Sequence, residues 1–230
     1  ATDDWPFLYM RDRTLPEHYA VVLLMILILS AAAVGLAMRA QPPAGGTAAR
    51  TRWSWQFFLL GAGFMLLETK SIIQFALLWG STWFVASLAI ASVLTMALIA
   101  NFIVDHREIR GGIVVGVVLL ALLVVNYFLP IGRVTFASLT AESIFYAALE
   151  FSPILCAGLL FGSAIKRSPS VGSDYGVNLL GAMLGGVAEY LSLIIGFRLL
   201  LLVIALCYIG AVVARQLETE HAAPAAAELS

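Results

Sequence analysis

Charge is scarce in this 230-residue chain: Asp, Glu, Lys and Arg together make up only 12% of it. Its 13 basic and 14 acidic side chains nearly cancel to a formal net charge of -1. No basic patch interleaved with aromatics occurs, so no nucleic-acid partner is expected. Cysteine is scarcer still. Cys156 and Cys207 both lie inside apolar runs, which argues against a structural disulfide or a CxxC metal site. His18, His106 and His221 are scattered and form no ligand cluster, so no metal is assigned. The opening stretch lacks a charged segment running straight into an apolar core, so no signal peptide is expected. No serine is matched with a histidine and an acid. Gly172-Ser-Asp-Tyr-Gly176 has neither a preceding strand nor the lysine of a phosphate loop. Catalytic residues and cofactors are therefore assigned to none of this chain.

What is present is apolar surface. Hydrophobic residues make up 61% of the chain, against about 45–50% in ordinary soluble domains, and the mean hydropathy is +0.96. The expected fold is all-α, a polytopic transmembrane bundle of about seven helices in contact with the lipid bilayer. Spans are read at 20–38, 55–79, 83–104, 112–129, 139–165, 175–195 and 199–214, most of them near the roughly 20 residues that cross a hydrocarbon core. Residues 1–19 read as the tail of a preceding soluble domain or a juxtamembrane segment, 20–215 as the membrane domain, and 216–230 as a disordered tail. Gln41 to Arg52, rich in Pro, Gly and Ala, is the one clear linker. Gly80-Ser-Thr82 reads as a tight turn, Pro153 as a kink in the fifth span, and the Val/Leu-rich fourth span, with Asn126 its one strongly polar side chain, as lipid-facing scaffold. Arg39, Arg50, Arg52, Arg107, Arg110, Lys166, Arg167 and Arg215 fall on one side of such a bundle, against Arg11, Arg13, Arg133 and Arg198 on the other. The positive-inside rule then places the N-terminus outside.

The few charges that enter the spans are the candidate site. An ionisable group at the bilayer centre costs about 2.5–3.5 kcal/mol on insertion scales, so Glu68 and Lys70, inside the second span, require compensation. Two residues apart on a helix, they stand about 200° apart and pair poorly with each other, whereas Lys70 and Gln74 share a face. Glu150 and Glu189 are the partners to expect for Lys70, with Asn178 and Asn101 as neutral hydrogen-bonding groups and Glu142 placed near a helix end, where it reaches the interface. The intramembrane polar site is thus Glu68, Lys70, Gln74, Glu150, Asn178 and Glu189. A structural ion pair that sets helix register competes evenly with a site that binds or moves something. Small residues four apart, Gly112/Gly116, Gly158/Gly162, Gly181/Gly185 and Ala182/Gly186, predict close helix contacts.

Gly63 followed by Glu68 and then Gly80-Ser-Thr82 resembles an early transmembrane segment of bacterial membrane-fused spermidine synthase-like proteins. Tyr175-Gly-Val-Asn178-Leu-Leu-Gly181-Ala182-Met-Leu-Gly185-Gly186 is similar to that family's Tyr-Ala-x-Asn-x-x-Gly-Ala-x-x-Gly segment. Thr2-Asp3-Asp4-Trp-Pro6 is similar to the Thr-Asp-Asp-x-Pro that closes its aminopropyltransferase-like domain. Lys70 has no counterpart in the pattern. The resemblance implies a domain of the bacterial inner membrane that anchors a soluble S-adenosylmethionine-type domain. Any aminopropyl- or methyl-transfer chemistry would sit in that domain, and an intramembrane pocket here would receive a cationic or lipid-like substrate. Two other classes fit the same residues: a small transporter or channel with an intramembrane Glu/Lys path, and an accessory subunit of a larger membrane complex.

Overall fold

A computed structural model describes residues 14–40, 53–80, 82–109, 112–129, 136 and 138–227. The Thr2-Asp3-Asp4 stretch, the 41–52 linker and the Pro130 to Arg133 closure lie outside the described residues. The elements are α1 (Glu17–Ala40), α2 (Trp55–Trp79), α3 (Trp83–His106), α4 (Gly112–Phe128), α5 (Leu139–Ile165), α6 (Val171–Ala188), a 3-10 turn (Glu189–Leu191), α7 (Ser192–Ile195) and α8 (Phe197–Ala227). Together, α6, the 3-10 turn and α7 make one span from Val171 to Ile195, so the described helices form seven segments of a polytopic bundle. Six are long and apolar enough to cross a membrane, and α4, with 17 residues, is shorter. At 1.5 Å per residue α4 reaches only about 26 Å, slightly less than a hydrocarbon core of about 30 Å.

The boundaries follow from local chemistry. α2 ends at Gly80, whose φ of 88° and ψ of 152° suit glycine, and Thr82 caps α3 by accepting a hydrogen bond from the Val85 N–H at 3.3 Å. Gly196, at φ 83°, separates α7 from α8 in the same way. Two expected boundaries shift. The sixth span begins at Val171, because Ser168 and Ser170 organise the turn before it: Ser168 Oγ donates to Asp174, and the Asp174 N–H donates to the Ser170 carbonyl. The tail expected to be disordered from 216 is instead helix as far as Ala227. Gln216, Leu217, Glu218, Glu220, Ala222 and Ala223 are strong helix formers, with Pro224 falling only in the last turn of α8, and Ser54 Oγ at the foot of α2 donates to Glu218 Oε1 at 3.2 Å.

α2 is the centre of the bundle, packing against α3, α5, α6 and α8. Its neighbours sit close where glycine permits. A Cβ on Gly181 would collide with the Phe58 carbonyl, one on Gly61 with the Asn178 carbonyl, and one on Gly185 would lie 2.5 Å from the Ala62 carbonyl. Residue numbers rise together along this contact, so α2 and α6 run parallel. α5 lies parallel to α3 in the same manner, Gly158 against Ala100 and Gly162 against Val104. α4 runs antiparallel to α8, with Gly112 against Arg215 and Gly116 against Val212. All four small-residue pairs therefore mark helix contacts. α4 is not wholly lipid-facing scaffold: Gly112, Gly116, Leu119, Leu123 and Asn126 are buried on one face while Val114, Val117, Val124 and Phe128 are exposed on the other. α1 packs against α6 and reaches the 3-10 turn beyond it through Tyr19 and Tyr190; Leu23 is buried, while most other apolar side chains of α1 are exposed.

Candidate functional site

Lys70 sits on the central helix, just beyond its midpoint, and meets Glu150 of α5. Nζ and Oε2 are 2.9 Å apart and the two side chains are 2% and 1% exposed. The antiparallel packing of α2 on α5 places them there: Phe57 stacks edge-on against Phe161 at one end of the contact and Phe75 against Phe151 just past the pair. Ser71 Oγ adds a hydrogen bond to the Glu150 backbone carbonyl at 3.3 Å. An isolated charge at this depth would be prohibitive, and the pairing in a dry environment, with a charge-assisted bond, is what makes both tenable. Of the two partners expected for Lys70, Glu150 is the one it meets.

A second polar arrangement adjoins the first. Pro153 has no N–H, so the carbonyl of Leu149, one turn earlier, loses its helical donor. In lipid no water replaces it, and neighbouring side chains do so instead. Asn126 of α4 donates Nδ2 to the Leu149 carbonyl at 3.3 Å, and Ser152 Oγ donates to it at 3.2 Å. Asn126, the lone polar group of its span, and Pro153, a breaker of one hydrogen bond, are both visible in the sequence. The link between them is the carbonyl four residues before the proline, which needs a donor from elsewhere.

The other candidates lie elsewhere. Asn178 donates Nδ2 to the Phe57 carbonyl at 3.0 Å across the α2–α6 contact. Glu68 and Glu189 are half-buried, and among the described residues neither carboxylate has a hydrogen bond or ion pair. Helical twist sets Glu68 about 200° round α2 from Lys70. Met65 lies opposite Gly186, and one turn on, the 3-10 turn that begins at Glu189 touches α2, so the two glutamates stand at similar depth beside the parallel crossing. Gln74, one turn beyond Lys70, has a buried Oε1 with no hydrogen-bond partner among the described residues, as have Glu150 Oε1 and Asn126 Oδ1. Asn101 is exposed on α3, and Glu142 accepts the Phe136 N–H at 3.3 Å beside the start of α5. The six candidates thus divide into a closed charge layer, Lys70 and Glu150 with Gln74 a turn away, and an α2–α6 group, Asn178, Glu68 and Glu189. Among the described residues no group of three or more His, Cys, Asp or Glu side chains is arranged to hold a metal ion.

Comparison with protein-family models finds no match, and no curated protein or solved structure matches either.

Proposed function

We propose that this chain is the membrane domain of a spermidine synthase-like protein of the bacterial inner membrane, anchoring a soluble S-adenosylmethionine-type domain and offering a cationic substrate an acidic site within the bilayer. The observation that carries the reading is the separation of the charges. Glu150 is already neutralised by Lys70, whereas Glu68 and Glu189 stand at similar depth beside the α2–α6 crossing without a described partner. Two half-buried carboxylates that lack a counter-ion lower their energy by taking up a cation. In support, several of the residues that carry the family resemblance, Glu68, Asn178, Gly181, Ala182, Gly185 and Gly186, belong to α2 and α6 and gather along that one contact. A transporter path strung through all three glutamates fits less well, because Lys70 occupies Glu150 on another face of α2. Arg39, Arg107, Lys166, Arg167 and Arg215 share one end of the bundle, and the positive-inside rule makes that end cytoplasmic. This sets the start of α1, and the soluble domain this reading places before it, on the opposite side, and counts against a soluble domain that draws on cytosolic substrates.

The test is binding of labelled spermidine to the purified protein in nanodiscs. The expected result is saturable binding that falls at least about tenfold in Glu68→Gln and in Glu189→Gln, the loss of about 1.4 kcal/mol of ion pairing. A Lys70→Met/Glu150→Leu variant should bind as the parent does. Absence of saturable binding, or equal loss in all three variants, would remove the acidic site. Sequencing the coding region upstream of Ala1 tests the family reading separately: an aminopropyltransferase-like domain is expected there, and an unrelated gene would sink it.

A further inference from the structure

We infer that α5 is hinged at Pro153 and that the Lys70–Glu150 ion pair is the latch that holds its outer half, Leu139 to Glu150, in the bundle. The two sides of the break are held by different physics. On the inner side, Gly158 and Gly162 let α5 sit directly on Ala100 and Val104 of α3. The end of that half is tied down by Lys166, whose Nζ donates to the Val104 and Asp105 carbonyls at 2.9 and 3.2 Å, and by Arg167, which donates to the Ile109 carbonyl at 3.0 Å. On the outer side, polar bonds from α2 and α4 converge on two consecutive residues: Asn126 on the Leu149 carbonyl, Ser71 on the Glu150 carbonyl, and Lys70 on the Glu150 carboxylate.

Their position relative to the proline matters. Pro153 removes the one backbone bond that would couple Leu149 to residue 153, so the helix is weakest where these side chains attach. Asn126 and Ser152 replace that bond with neutral side-chain donors, and side-chain bonds of this kind inside membranes are individually weak. The charge pair is the strongest contact of the set. Loss of it frees the outer half to swing about residues 149–153 while the glycine-seated inner half stays in place. Such two-part helices, with the break lining the protein interior, are a recurrent means of moving part of a membrane bundle without unfolding it.

Electron–electron resonance distances between spin labels test this in a Cys156→Ala/Cys207→Ala background. One label pair, at Leu88 on α3 and Ile144 on α5, reports the outer half, and a second, at Phe102 and Leu159, reports the inner half. In Lys70→Met/Glu150→Leu, which removes both charges and strands neither, the outer distance distribution should broaden about twofold as more than one orientation is sampled. The inner one should not change, and adding Pro153→Ala should restore the narrow outer distribution. If the double variant does not fold, Lys70→Met/Glu150→Gln, which keeps the shape of the Glu150 side chain, takes its place with the same expected result. An unchanged outer distribution overturns the latch. Equal broadening of both pairs, or broadening that Pro153→Ala does not reverse, overturns the hinge.

Discussion

Lys70 shows how much of a membrane site depends on one neighbour. With Glu150 at 2.9 Å and both side chains out of reach of solvent, removing one partner leaves the other as an uncompensated buried charge. Lys70→Met is therefore expected to lower stability by about 3–5 kcal/mol, while Lys70→Met/Glu150→Leu should recover most of the loss. Denaturation in mild detergent, followed by tryptophan fluorescence, measures both, and a single variant no worse than the double would contradict the pairing. That Lys70 needed a partner on another helix was legible in the sequence, since Glu68 lies on the wrong side of the same helix. Which glutamate would answer was not, because the choice between Glu150 and Glu189 depends on whether α5 or α6 faces Lys70. Asn126 makes the same point: its polarity is visible in the sequence, but its acceptor on Leu149 is 23 positions away in the chain.

Between helices, the controlling quantity is the distance that glycine allows. Gly181 has the Phe58 backbone where a methyl group would go, whereas Gly186 has its nearest neighbour, Met65 Cγ, at 3.8 Å. A backbone carbonyl cannot move aside as a flexible side chain does. Gly181→Ala should therefore part α2 from α6, stretch the Asn178–Phe57 hydrogen bond and cost about 1–3 kcal/mol by overpacking, while Gly186→Ala should be nearly neutral. Thermal unfolding of the two variants in the same detergent distinguishes them, and equal midpoints would refute the contact. The four-residue spacing of small residues was readable as helix contact. It carried no information about which helix would be met, since Gly158 and Gly181 have similar surroundings in sequence yet face α3 and α2. The extent of α8 is not legible in the sequence for a related reason: loss of hydropathy after Arg215 ends a membrane-spanning stretch, but a helix needs only residues that favour helical backbone, and Gln216, Leu217 and Glu218 supply them.

For the molecule as a whole, seven alternating segments bring the beginning of α1 and the end of α8 to opposite faces, with Arg39, Arg107, Lys166, Arg167 and Arg215 gathered at one of them. Single cysteines at Ser138 and Ser170, both exposed and at opposite ends of the bundle, test the orientation in a cysteine-free background. In intact cells, a membrane-impermeant maleimide should label Ser138→Cys and spare Ser170→Cys, and the reverse pattern would invert the topology. Composition, span length and the punctuation by Gly80, Thr82 and Gly196 were enough to define this chain as an all-helical, multi-pass membrane protein, because apolar length and backbone hydrogen bonding leave few other solutions in lipid. The same sequence listed the polar groups that such a bundle must accommodate. Only the tertiary structure decided how they are accommodated: Lys70 with Glu150, Asn126 with the carbonyl freed by Pro153, Asn178 with Phe57, and Glu68 at the depth of Glu189. The physical reason is that each compensation joins residues far apart in the chain. Their meeting is set by which helix faces come together, and in lipid that is decided by close packing, a property of pairs of surfaces.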